Sequence, residues 1–172
     1  EIWLISPWIG YYFVKCRLPM IKTALENGKK VFIAYSKKDP RDKSQRSEMV
    51  DPVAQREIDK LIVSYPNFYC VELTNCFHTK NVFEVKGDQC IMFSGSFNVL
   101  SFAIQEDNKV IRGEQMTFVH VKTAYKNYIS YREEFAEVYL DKAKAQLSNL
   151  SSEEIVKYSE PRLRYFINTA KA

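Results

Sequence analysis

Residues 2–35, IWLISPWIGYYFVKCRLPMIKTALENGKKVFIAY, decide the fold. Ile2–Ser6 is a short apolar run that stops at Ser6-Pro7, as a buried strand stops at a loop. Leu18, Ile21 and Leu25 then recur at helical spacing, and Gly28 ends that helix. Lys30–Tyr35 (KVFIAY) is β-branched and aromatic, which predicts a second buried strand. Strand, helix, strand in this order makes a parallel pair joined by a crossover.

Further along, residues 37–51 (KKDPRDKSQRSEMVD) are polar and charged. Asp51-Pro52 reads as an N-cap followed by a proline in the first helical turn. Ile58, Leu61 and Ile62 give that helix its apolar side, and it ends near Tyr65-Pro66. Strands are expected at Phe68–Leu73, Asn81–Val85, Cys90–Phe93 and Gln115–Val121, with the third and second of these joined by a turn at Lys86-Gly87-Asp88. From Lys122 the pattern turns helical, with Tyr125, Tyr128, Ile129, Phe135, Tyr139 and Leu140 on one face. A capping box at Ser151 and Glu154 starts another helical stretch, which Pro161 breaks or restarts. The expected class is α/β: a mixed sheet flanked by helices, with a helical C-terminal tail. The boundary falls between a domain at 1–145 and an extension at 146–172.

Composition narrows the function. A chain of 172 residues can bury one sizeable core. No apolar run approaches the roughly 18–20 residues of a membrane span, and no signal-peptide pattern opens the sequence. A start at Glu1 without Met suggests a piece of a longer protein. The net charge of +4 permits an anionic partner without requiring one. Cys16, Cys70, Cys76 and Cys90 form no CxxC pair, and Cys16, Cys70 and Cys90 fall in apolar stretches; buried thiols of a cytoplasmic protein are expected. Cys70, Cys76 and His78 do not have the spacing of common zinc ligands, so no metal is expected.

The chemistry concentrates in residues 76–98, CFHTKNVFEVKGDQCIMFSGSFN. If Thr79 points into the core, His78 and Lys80 share the opposite face of one strand. An adjacent antiparallel strand then delivers Gly95, Ser96 and Asn98 to the same end of the sheet, with Ser96 and Asn98 on one face if the extended geometry persists. Imidazole, ammonium, hydroxyl and carboxamide together suit a phosphoryl group: the imidazole attacks phosphorus or shuttles a proton, and the others neutralise or hydrogen-bond its oxygens.

This segment resembles the H-x-K … G-S-x-N signature of the phospholipase D superfamily. Residues 95–102, GSFNVLSF, are similar to the GSFNWLSF variant of bacterial phospholipase D-like proteins. Arg112-Gly113-Glu114 stands where that branch has a stretch ending in Glu, and ISPWI followed by a helix and GKKVFIAY is similar to its first βαβ unit. The resemblance covers about residues 1–140 and makes the first domain a phospholipase D-like one. It implies that His78 is the nucleophile, that Lys80, Ser96 and Asn98 bind phosphate, and that Glu114 hydrogen-bonds and orients His78. Val85 departs from the pattern, which has Asp there; Val99 replaces a Trp.

Only one such motif is present. His120, in TFVHVKT, reads as an ordinary strand residue. Superfamily sites use two His-Lys sets, so the resemblance implies a homodimer that completes the site, or a second set elsewhere in a longer chain. It implies a metal-independent phosphodiesterase, an endonuclease acting on nucleic acid and chiefly DNA, that needs no cofactor. The alternatives are an inactive nucleic-acid-binding or dimerisation module and a phospholipid hydrolase. Lys37, Lys38, Arg41, Lys43 and Arg46 either track a phosphate backbone or form a solvated loop, which Asp39, Asp42, Glu48 and Asp51 dilute. Tyr11, Tyr12 and Phe13 either stack on bases or pack in a core or dimer interface.

Overall fold

The computed structural model describes residues 1–38, 49–75, 77–87, 89–101 and 116–147, with residues 142–147 as backbone only. The architecture is α/β, a six-stranded mixed sheet with helices on its faces. In chain order the elements are β1 (Ile2–Ser6), a π-helical turn (Phe13–Arg17), α1 (Leu18–Glu26), β2 (Val31–Tyr35), α2 (Pro52–Ser64), β3 (Phe68–Glu72), β4 (Asn81–Lys86), β5 (Gln89–Gly95), β6 (Met116–Val119) and α3 (Val121–Leu147). The strands lie in the order β3-β2-β1-β4-β5-β6. The first three are parallel, and β4, β5 and β6 each run antiparallel to the preceding neighbour.

Local chemistry explains the boundaries. Past the C-cap Asn27, Gly28 takes φ 74°, its amide donates to the Leu25 carbonyl (3.0 Å), and the Lys29 amide donates to the Ala24 carbonyl (3.0 Å). This paired closure satisfies carbonyls that the end of α1 would leave bare. At the start of α2 the Asp51 carboxylate accepts from the amides of Val53 (2.8 Å) and Ala54 (3.4 Å), and Pro52 follows where no amide is needed. Gly87, at φ 61°, turns β4 into β5.

Side-chain alternation sorts the core into two layers. Trp3, Phe32 and Tyr69 lie opposite one another across β1, β2 and β3 and stack with centroids 4.0 and 4.3 Å apart. Phe135 of α3 meets Trp3 and Phe32 edge-on at 5.3 and 5.6 Å, the arrangement that ring quadrupoles favour. Asn81, Phe83 and Val85 of β4 point to the same α3 side and are buried. The opposite layer joins Leu4, Val31, Ile33 and Phe68 to Phe13, α1, α2 and Leu100.

Several expectations need correction. Gln115–Val121 is a shorter strand: β6 spans Met116–Val119, and Val121 already begins α3. His120 is no strand residue; its carbonyl accepts from the Ala124 amide (2.9 Å) at the head of α3. Tyr125 lies 41% exposed, off the buried side of α3 that Ala124, Tyr128 and Phe135 form. Cys90 is buried, but Cys16 and Cys70 are half-buried; Cys70 lies on β3, the edge strand of the sheet. α3 continues unbroken across residues 145–146; residues 148–172, with Ser151, Glu154 and Pro161, lie outside the described residues. No helix among the described residues is long and apolar enough to cross a membrane.

Candidate active site

The parallel strands β1, β2 and β3 end on one side of the sheet, where β4 starts and β5 finishes. Such an edge, between a parallel and an antiparallel neighbour of β1, leaves room for loops to converge. Four of them do. The Ser36 amide donates to the Pro7 carbonyl (3.1 Å), and the Phe77 amide donates to Ser36 Oγ (2.9 Å). Ser101 Oγ donates to the Trp8 carbonyl (2.8 Å), and the Gly95 amide donates to the Lys80 carbonyl (3.2 Å).

His78 and Lys80 meet here. The Lys80 ammonium is 2.8 Å from Nδ1 and 3.3 Å from Nε2 of His78, and it donates to the His78 carbonyl at 2.7 Å. An ammonium on the in-plane lone pair of either nitrogen cannot come that close to both; Lys80 Nζ therefore sits over the ring face, nearer Nδ1. Trp8 flanks the pair, its ring 5.6 Å from the imidazole and 5.8 Å from the ammonium. Lys80 is 4% exposed, whereas His78 is exposed. Partial desolvation, and then the Lys80 charge, hold the His78 pKa below its ordinary 6.5. The imidazole is accordingly neutral at neutral pH, the state in which a ring nitrogen attacks.

The local geometry differs from the sequence reading. Residues 77–80 are an extended lead-in, and β4 starts only at Asn81. Thr79 is exposed, but its side chain hydrogen-bonds Tyr131 of α3, on the side where Phe77 packs half-buried against the core. Lys80 alternates with Asn81, whose Nδ2 donates to the Tyr131 hydroxyl of α3 (3.2 Å), so Lys80 falls on the sheet face away from α3. β5 ends at Gly95, and the chain turns so that the Ser101 amide donates to the Asn98 carbonyl (2.9 Å). Extended geometry does not persist past Gly95; Ser96 is exposed and Asn98 is 4% exposed. Asn98 Oδ1 is buried without a hydrogen-bond partner among the described residues.

Lys37 and Lys38 leave β2 at this same end of the sheet. Arg41, Lys43, Arg46 and Glu114 lie outside the described residues, as does Cys76. Val85, where the superfamily pattern has Asp, is 6% exposed in the α3-side core, an apolar slot that a carboxylate would occupy at high desolvation cost. Among the described residues no three His, Cys, Asp or Glu side chains converge as metal ligands would.

Three residues absent from the sequence reading shape the site. Trp8 walls it. Gly10 lets the loop after β1 press on the 95–101 turn, for a Cβ there would lie 3.1 Å from the Ser101 carbonyl oxygen. Arg17 braces the turn from the π-helical segment: Nε donates to the Val99 carbonyl (2.7 Å), and the guanidinium lies 5.7 Å from the Phe97 ring centre. An isolated Gly among apolar residues was a legible signal for Gly10. Nothing local announces Arg17, whose carbonyl partner is 82 positions away. No protein-family model matches the chain, and no curated protein matches it.

Proposed function

We propose that this protein is a metal-independent phosphodiesterase that cleaves nucleic acid through a phosphohistidine on His78. The observation that carries this reading is the exposed, neutral imidazole with a buried ammonium over its face, beside the turn that bears Ser96 and Asn98. A ring nitrogen of His78 attacks phosphorus, the N–P bond forms, and the bond from phosphorus to the leaving oxygen breaks. Lys80 offsets negative charge on the phosphoryl oxygens. Ser96 and Asn98 are the proposed hydrogen-bonding groups, and Glu114 the orienting carboxylate. Water then attacks phosphorus, breaks the N–P bond and releases the phosphate.

The leaving oxygen needs a proton from the side opposite the nucleophile. We assign it to His78 of the partner subunit in a twofold homodimer, whose imidazole the bound phosphodiester anion favours in the protonated form; neutral once it has given up that proton, the same imidazole then takes one from the attacking water. Support comes from the sheet face on which Lys80 lies. Ile91, Phe93 and Phe118 of β5 and β6 share that face and are 41, 43 and 55% exposed. An apolar surface of this kind beside a half-site is suited to a second copy.

Incubation with DNA and RNA substrates in excess chelator tests the reading. The wild type is expected to cleave, and His78→Ala to lose at least about a thousandfold in rate, as when a nucleophile is removed. Strict Mg²⁺ dependence, or an unimpaired His78→Ala, would overturn it.

A further inference from the structure

The loop leaving β1 carries a second set of side chains that the phosphoryl chemistry does not use. Tyr11 and Tyr12 are 46 and 40% exposed, with ring centroids 6.0 Å apart at 68°, whereas the adjacent Phe13 is wholly buried. The Lys15 ammonium lies 5.6 Å from the Tyr11 ring centre. From Ile2 to Leu25 the sequence contains Lys15, Arg17 and Lys22 and no acidic residue. The two exposed tyrosine rings and the Lys15 ammonium thus lie together on one surface.

That surface is fastened to the candidate active site. The Gly10 amide donates to the Leu100 carbonyl (3.1 Å), Arg17 Nε to Val99, and Ser101 Oγ to Trp8, whose ring flanks His78. Tyr11 is three residues beyond Trp8, at most about 11 Å of chain.

We propose that Tyr11, Tyr12 and Lys15 form a platform for single-stranded nucleic acid that leads to His78. Bases stack on the two tyrosine rings while Lys15 meets the backbone phosphates. Paired bases in a duplex are already stacked and offer only their edges, so a duplex cannot use these rings. The identity of the site the platform feeds rests on the function proposed above; strand binding itself requires no chemistry.

The test measures binding by fluorescence anisotropy, using the full chain carrying His78→Ala. The probes are labelled oligothymidylate, oligouridylate and a DNA duplex of equal length. Both single strands are expected to bind more tightly than the duplex. Adding Tyr11→Ser with Tyr12→Ser should weaken single-strand binding at least about tenfold and leave the weak duplex binding unchanged. Tyr11→Phe with Tyr12→Phe should retain binding, because stacking needs the ring and not the hydroxyl. Lys15→Ala should lower the slope of log affinity against log salt by about one. Val63→Ser, at an exposed position of α2, should change nothing. Duplex binding as tight as single-strand binding, insensitivity to the serine pair, or no binding at all would overturn the platform. Cleavage by the wild type separates the two readings. Tyrosine-dependent binding without cleavage upholds the platform and overturns the phosphodiesterase; cleavage without tyrosine dependence does the reverse.

Discussion

The two halves of the sheet are built from similar residues and covered differently. Strands β1, β2 and β3 have α3 against one face and α1 and α2 against the other, so Ile2–Ser6 and Val31–Tyr35 are buried almost without interruption. Strands β5 and β6 are packed against α3 on one face alone, and β4 also reaches the opposite layer through Val82. β4 and β5 alternate buried with less buried positions, and Ile91, Phe93 and Phe118 stand on the uncovered side. The same apolar chemistry stabilises the fold in one half and is left for contact in the other. The candidate site lies where these halves meet, with Trp8 delivered by β1 and Lys80 by the lead into β4.

The largest expected contrast is in stability. Trp3→Ala removes one end of the stacked ladder together with its edge contacts to Tyr128 and Phe135, and should cost about 3–5 kcal/mol in urea unfolding. Phe118→Ser removes a ring of comparable chemistry from the open face and should change the folding free energy of a dilute monomer by less than about 0.5 kcal/mol. At higher concentration the same substitution should weaken self-association, read by sedimentation. Equal destabilisation by the two variants would erase the distinction between the halves.

A smaller effect probes their junction. Gly10→Val places side-chain atoms against the Ser101 backbone, which cannot swing aside as a flexible chain end can. A cost of about 1–3 kcal/mol is expected, with a larger proportional loss of phosphodiester cleavage than of helical content.

The smallest effect is electrostatic. The His78 imidazole should titrate below 6.5 by NMR, and Lys80→Met should move it upward by removing the neighbouring cation. The folded pKa is depressed, so between it and 6.5 the unfolded chain binds more protons at this ring. The contribution to stability is therefore full above 6.5 and is lost as pH falls through that window toward the folded value. Lys80→Met should narrow the window. A His78 titration above 6.5 in the wild type would contradict the site geometry.

These contrasts also explain what could be read from the sequence. Strands covered on both faces appear as uninterrupted apolar runs, and Asp51-Pro52 writes a helix start in its own chemistry. β4 betrays its α3-covered face through the alternation of Asn81, Phe83 and Val85 with Glu84 and Lys86. The meeting of Lys80 with Gly95 followed from an antiparallel hairpin. What was illegible depends on distant partners. Thr79 turns toward α3 yet stays exposed, because it precedes β4 and meets only the Tyr131 hydroxyl at the rim of the core. The π-helical turn at Phe13–Arg17 hides in a run of aromatic and β-branched residues, and only its fit against Val99 and Phe97 gives it meaning. The burial of Asn98 beside an exposed Ser96 falls in a turn whose Ser101 is held by Trp8 and Gly10, far away in sequence.

The most direct test of the central claim is to trap the covalent intermediate. The protein is mixed with an end-labelled single-stranded oligonucleotide in chelator, quenched in denaturant at alkaline pH, where a phosphohistidine persists, and mapped by mass spectrometry. The account predicts a phosphoryl adduct on His78 that acid removes and that His78→Ala abolishes. Cleavage with no adduct on any histidine, or an adduct elsewhere that survives in His78→Ala, would contradict it.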